Sequence, residues 1–169
     1  MMDSDFQEYC KNNSKFLATT SNNETLSVLF VPNLLLVTIK KELINLFDKL
    51  HDINFGKQTS DDIFNLCLKN QYTVWCFLLE DKLIGVATTE VKNYPKATSF
   101  YISNISVDNN MFIPNRIQFY NFFENTAKEF ECDILEFRGR VGWHRYTKFE
   151  RYTAESFIYS KRIKDTQVV

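Results

Sequence analysis

The chain has 169 residues, the length of one ordinary domain, and its 44% hydrophobic and 24% charged content excludes a disordered or collagen-like chain. Lys and Arg number 20 against 21 Asp and Glu, so the net charge of -1 gives no global pull toward DNA or anionic membranes. No apolar run approaches the roughly 18 residues that a membrane span requires.

Residues 1–24 are rich in Asn, Ser and Thr and offer only Phe6, Tyr9, Phe16 and Leu17 as anchors, which predicts a loosely docked N-terminal extension. The main domain is expected over residues 25–169. Residues 25–39 are apolar and β-branched but broken at Pro32 and Asn33, the pattern of two short strands or one kinked strand. A helix follows over residues 41–51, where Leu43, Ile44, Leu46, Phe47 and Leu50 recur at helical spacing and Gly56 follows the end. Thr59 before Ser60, Asp61 and Asp62 marks a second helix start, because its hydroxyl can accept an orphan N–H while the carboxylates meet the positive end of the dipole. That helix is expected to end near Asn70.

Residues 72–79 and 83–91 read as an antiparallel hairpin around the turn Glu80-Asp81-Lys82, interrupted at Tyr94-Pro95. A third strand over residues 98–107 changes period between Ile102 and Ile105, which predicts a β-bulge. After Pro114 comes the longest helical pattern, with Arg116, Tyr120, Phe123, Ala127 and Phe130 on one line and Phe119, Phe122 and Thr126 beside it. So aromatic a face must be buried. Residues 132–137 read as a strand, 138–149 as a loop and short helix, and 157–163 as a closing strand.

Two counts limit the chemistry. Only 4 glycines occur where ordinary usage would give about 12, so a Walker loop or dinucleotide turn cannot be built; Gly56 and Gly85 stand alone and only Gly139 and Gly142 cluster. Cys10, Cys67, Cys76 and Cys132 form no C-x-x-C pair, and with His51 and His144 as the only histidines no zinc spacing can be assembled, so no metal site is expected. The cysteines read as reduced, buried residues of an intracellular protein, because the polar start of the chain has no charged-then-apolar signal pattern.

From residue 25 the predicted order is strand, helix, helix, strand, strand, strand, helix, strand, helix, strand. This order resembles the GCN5-related N-acetyltransferase (GNAT) fold, and local text adds to the resemblance. The run from Val74 through Glu80-Asp81-Lys82 to Ile84-Gly85-Val86-Ala87 is similar to that family's hairpin, and Tyr146-Thr147-Lys148-Phe149 resembles its C-terminal "Y-E-K-L" helix. A narrower resemblance, to a bacteriophage branch of GNAT-like proteins, spans residues 59–163. It rests on Thr88-Thr89-Glu90-Val91, Tyr94-Pro95, Cys132-Asp133, Leu135-Glu136-Phe137, Gly139-Arg140 and Gly142-Trp143-His144-Arg145. The abundance of Asn, Lys, Phe, Tyr and Ile agrees with an AT-rich viral or bacterial genome.

The resemblance implies an α/β domain with a mixed, largely antiparallel sheet flanked by helices. It also implies a diphosphate loop between the third hairpin strand and the long helix, where glycines and a helix N-terminus hold acyl-CoA. Residues 107–116 hold no glycine there, and they include Asp108 and Pro114. Arg116 is the one cationic side chain of that loop and the candidate phosphate ligand; the alternative is a plain connection with proline near the first helical turn.

Acetyl transfer would also need a base and an acid, for which Glu90 and Tyr146 are the candidates if the chain is an enzyme, with His144 as an alternative base. Each has a structural alternative, Glu90 as a solvated strand-end residue and Tyr146 as packing. Arg138, Arg140, Arg145, Lys148 and Arg151 are interleaved with Trp143 and Tyr146, a composition suited to a protein interface or to phosphate and base stacking. The bland alternative is a tight turn at Gly139 and Gly142, with Trp143 capping the core and Arg140 paired with Glu136 or Asp133.

The reading that follows is a phage-type GNAT-fold protein with an N-terminal extension and without productive acyl-CoA binding. It is expected to act as a virion-associated or other protein-binding component in host cytoplasm or virion, with other phage or virion proteins as partners. The alternatives are an N-acyltransferase moving an acetyl group from acetyl-CoA to an amine, and a nucleic-acid-binding module resting on the Arg and Trp cluster. No membrane partner is expected.

Overall fold

The computed structural model describes residues 4–50 and 57–137, all within the unit Met1–Arg138. Helix α1 (Ser4–Asn13) precedes strands β1 (Lys15–Thr19) and β2 (Thr25–Val31). Helix α2 (Asn33–Leu36) runs through a 3-10 turn (Val37–Ile39) into α3 (Lys40–Asp48), and α4 (Ser60–Leu68) follows. Then come β3 (Thr73–Leu79), β4 (Lys82–Tyr94), β5 (Ala97–Val107), a single turn α5 (Asn109–Phe112), α6 (Arg116–Glu129) and β6 (Ile134–Phe137). The six strands form one sheet in chain order, antiparallel at every junction except β5 with β6, which are parallel because α6 crosses between them.

Strand alternation sends two sets of side chains to opposite faces. On one face Leu29, Val31, Val74, Cys76, Leu78 and Val86 pack with Leu36, Ile39, Leu43, Phe47, Ile63 and Phe64 of the α2–α4 segment. On the other, Phe77 meets Phe119 of α6 with ring centroids 4.8 Å apart, while Trp75 packs edge-on against Phe122 and Phe30. Phe119, Tyr120, Phe123, Thr126 and Ala127 of the aromatic face read from the sequence are the buried face of α6, while Phe130 just past its end stays half exposed. Each fully buried ring of this kind contributes about 1.5–3 kcal/mol of transfer free energy.

Two sequence expectations are corrected. Residues 4–19 are not a loosely docked extension: α1 places Phe6 and Cys10, four residues apart on one helical face, in the core, and β1 is an edge strand paired with β2. Residues 33–39 are helical and not a second strand. Pro32 ends β2 and serves as the extended residue before α2, where its missing N–H costs nothing, and the apolar run Leu34-Leu35-Leu36 is ambiguous between strand and helix until it packs.

The other boundaries follow from local chemistry. Thr59 accepts the Asp62 N–H while the Asp62 carboxylate accepts the Thr59 N–H, a reciprocal capping box. The β3–β4 turn holds Glu80 at φ 51°, and two hydrogen bonds to Thr25 offset that strain: Glu80 N–H donates to the Thr25 carbonyl at 2.8 Å, and Glu80 Oε1 accepts the Thr25 N–H at 2.6 Å. Gly85 lies where a Cβ would stand 2.6 Å from Val107 Cγ2 and 2.9 Å from the Ser106 carbonyl oxygen, so the close approach of β4 and β5 requires glycine. The bulge expected in β5 is present: Thr88 pairs with Asn104 and Thr89 with Ile102, leaving Ser103 as the extra residue. The elements expected at 138–149 and 157–163 lie outside the described residues.

Candidate functional site

The bulge at Ser103 turns the α3-facing side of β4 and β5 into a polar seam. Thr88, Glu90 and Lys92 alternate along β4 on the same side as Val86, and the register sets Asn104 opposite Thr88 and Tyr101 opposite Glu90. Asn104 Nδ2 donates to Thr88 Oγ1 at 2.9 Å, with both side chains buried. The extra residue of the bulge brings the Ser103 hydroxyl to Glu90, where it donates to Oε1 at 2.9 Å. Lys92 Nζ stands 3.6 Å from the same Oε1 and 3.2 Å from the centroid of the Tyr101 ring. Glu90 is thus neither a freely solvated strand end nor a sealed core group. Its side chain keeps 29% exposure, enough for a small molecule to reach a carboxylate that Ser103 orients.

The second sequence candidate, Arg116, opens α6. The loop before it closes on itself. Asp108 accepts the Asn110 N–H through Oδ1 at 2.8 Å, and its carbonyl takes the N–H groups of Met111 and Phe112. Phe112 is buried against Phe119 and Tyr120, pinning the α5 turn to the core. Asn115 donates its side-chain amide to the Met111 carbonyl at 2.8 Å, and Arg116 Nη1 donates to the Ile113 carbonyl at 3.2 Å. Pro114 lacks an N–H, the Arg116 side chain gives one hydrogen bond back to the loop, and the exposed Asp108 carboxylate stands at the loop entrance. With no glycine and with the Asp108 carboxylate, this loop departs from the glycine-rich diphosphate loop that the resemblance implies.

Tyr146, His144, Arg138, Arg140, Trp143, Arg145, Lys148 and Arg151 lie outside the described residues, as do Gly139 and Gly142. Sequence reading missed Lys92, Tyr101 and Ser103. The signal for Ser103 was the period change in β5; Tyr101 needed the cross-strand register, which no single strand carries.

The cysteines are free thiols. Burial raises the Cys10 thiol pKa to about 11, with the Asp81 charge adding to the shift, and burial raises Cys67 to about 12; Cys76 is raised further by burial, so all three are inert. No group of three potential metal ligands occurs among the described residues, and no described helix is long and apolar enough to cross a membrane.

No protein-family model and no curated protein matches the sequence. Solved structures do. The glucosamine-6-phosphate N-acetyltransferase of Arabidopsis thaliana superposes with a TM-score of 0.59 at 13% identity, covering 83% of this chain and 100% of that one. An acetyltransferase of Trypanosoma brucei gives 0.59 at 9% identity over 82% and 99% of the two chains. An aminoglycoside acetyltransferase from an uncultured soil metagenomic sample gives 0.51 at 21% identity over 81% and 97%. The fold is the GNAT acetyltransferase fold. Identities this low establish the GNAT architecture, the expected mixed and mostly antiparallel sheet flanked by helices, and leave the chemistry to the residues present.

Proposed function

We propose that this chain is a GNAT-fold binding protein, virion-associated or otherwise engaged with protein partners, that does not bind acyl-CoA productively. The carrying observation is the glycine-free loop over residues 108–116, in which Asp108, Asn115 and Arg116 each make a hydrogen bond within the loop. Exposed apolar surface supports a binding role: Leu34 is 91% and Val37 63% exposed, one helical turn apart on the segment leading into α3. The test is calorimetry of the full chain with acetyl-CoA. No saturable heat at millimolar ligand is expected, and micromolar binding would overturn the reading. For the virion role, purified particles of the parent phage should contain the chain at fixed copy number; its absence would leave a soluble binding role.

The Glu90 constellation favours a second reading, an N-acyltransferase whose acceptor is an amine. Glu90 would take the amine proton, held in place by the Ser103 hydroxyl. In that case Glu90→Gln should lower turnover with little change in stability, and saturable acetyl-CoA binding would make this the leading reading.

A further inference from the structure

Helix α1 and strand β1 build a cleft on the β1 side of the sheet, away from the seam between β4 and β5. Its volume of about 300 Å³ is at the small end of the roughly 300–1,000 Å³ of ligand sites. The floor is a row across three strands, because the register sets Phe16 opposite Ser27 and Ser27 opposite Leu78. Phe16 reaches that row only through a bulge at Leu17. Ala18 stands opposite Leu26 on the other sheet face, and strict alternation would put Phe16 there too; the extra residue turns its ring to the cleft, where it stays 68% exposed.

Three polar groups of the cleft are uncommitted. Ser27 is 8% exposed, yet its hydroxyl has no hydrogen-bond partner among the described residues, where a buried hydroxyl ordinarily finds one. Lys11, in the last turn of α1, and Asp81, in the β3–β4 turn, line the same cleft, and neither has an ion-pair partner among the described residues. The neighbouring Glu80 differs, since its carboxylate already holds the Thr25 N–H. A cation and an anion that share a cleft without meeting are complementary to a ligand carrying both charges, and the exposed ring beside them is complementary to an apolar group on that ligand.

We propose that this cleft binds a free α-amino acid with an aromatic or large aliphatic side chain. Its ammonium pairs with the Asp81 carboxylate, its carboxylate pairs with the Lys11 ammonium and accepts the Ser27 hydroxyl, and its side chain covers the Phe16 ring. The small volume admits one such molecule and excludes a nucleotide.

The experiment titrates the full chain with L-phenylalanine and follows the backbone amide resonances by NMR. Saturable shifts centred on Phe16, Ser27 and Asp81 are expected. Phenethylamine, which lacks the carboxylate, and hydrocinnamate, which lacks the ammonium, should each bind about tenfold or more weakly, the loss of one charged hydrogen-bonded pair. Lys11→Gln should bring L-phenylalanine down to the affinity of phenethylamine, Asp81→Asn should bring it down to that of hydrocinnamate, and Lys11→Arg should restore binding. Both side chains are exposed, so these variants keep the fold. L-Leucine should bind and glycine should not, because glycine has nothing to lay on Phe16. No saturable shift with L-phenylalanine or L-leucine, shifts confined to other faces, or equal binding of the three phenyl compounds overturns the proposal. None of these titrations contains a thioester, so their outcome is independent of whether acyl-CoA binds.

Discussion

Thr88→Val exchanges a hydroxyl for a methyl of nearly equal size in a side chain with no solvent exposure, so packing is conserved and one hydrogen bond is lost. The bond is that from Asn104 Nδ2 at 2.9 Å, and Asn104, itself 7% exposed, is left with a buried donor. An orphaned donor costs about 1–3 kcal/mol, more than the net worth of the bond, because the amide was stripped of water and receives nothing in exchange. At roughly 2–4 °C per kcal/mol for a chain of this size, a central cost of about 2 kcal/mol lowers Tm by about 4–8 °C. Urea denaturation of wild type, Thr88→Val, Asn104→Leu and the double variant closes a thermodynamic cycle. The double variant should be destabilised by less than the sum of the singles, with a coupling of about 0.5–3 kcal/mol. A Thr88→Val variant within about 0.5 kcal/mol of wild type, the level of an indifferent surface change, would refute the reasoning, as would strict additivity.

Three further outcomes are expected. Gly85→Ala should destabilise by about 1–3 kcal/mol in chemical denaturation, since its Cβ meets the Ser106 carbonyl, which cannot rotate away, as well as Val107. In native protein a thiol reagent should modify Cys132 first, with Cys10, Cys67 and Cys76 reacting only as the chain unfolds; fast release of four equivalents would contradict their burial. Hydrogen bonds from the Thr98 N–H and hydroxyl hold the Asp133 carboxyl pKa below its ordinary value, so its contribution to stability is complete above the ordinary aspartate range, about pH 4, and is lost as pH falls through the lower folded value. Asp133→Asn should therefore flatten the acid limb of the stability curve, and an unchanged limb would remove Asp133 from the account.

Elements whose causes are local were legible from the chain. The helix start at Thr59, the β3–β4 hairpin and the aromatic face of α6 each depend on residues near one another in the chain, and all three form where expected, the Thr59–Asp62 capping box being added by the structure. The bulge was legible too, because an extra residue shifts the alternation of one strand. Residues 4–19 were not legible. Phe6 and Cys10 are only two buried positions in a ten-residue, mostly polar helix, and β1 exists because β2 presents an unpaired edge to it. Residues 33–39 were ambiguous because a short apolar run has no period to read.

The candidate site divides the same way. Sequence supplied Glu90 as a carboxylate on a hairpin strand and the glycine-poor loop at Asp108 and Pro114. Only the tertiary structure decided that Tyr101 faces Glu90, that Ser103 reaches it, that Lys92 fills the space between ring and carboxylate, and that Asn115 and Arg116 turn back on their own loop. Side-chain type is carried by the sequence. Which side chains meet depends on the register between strands, and that register is fixed by burial of both sheet faces at once.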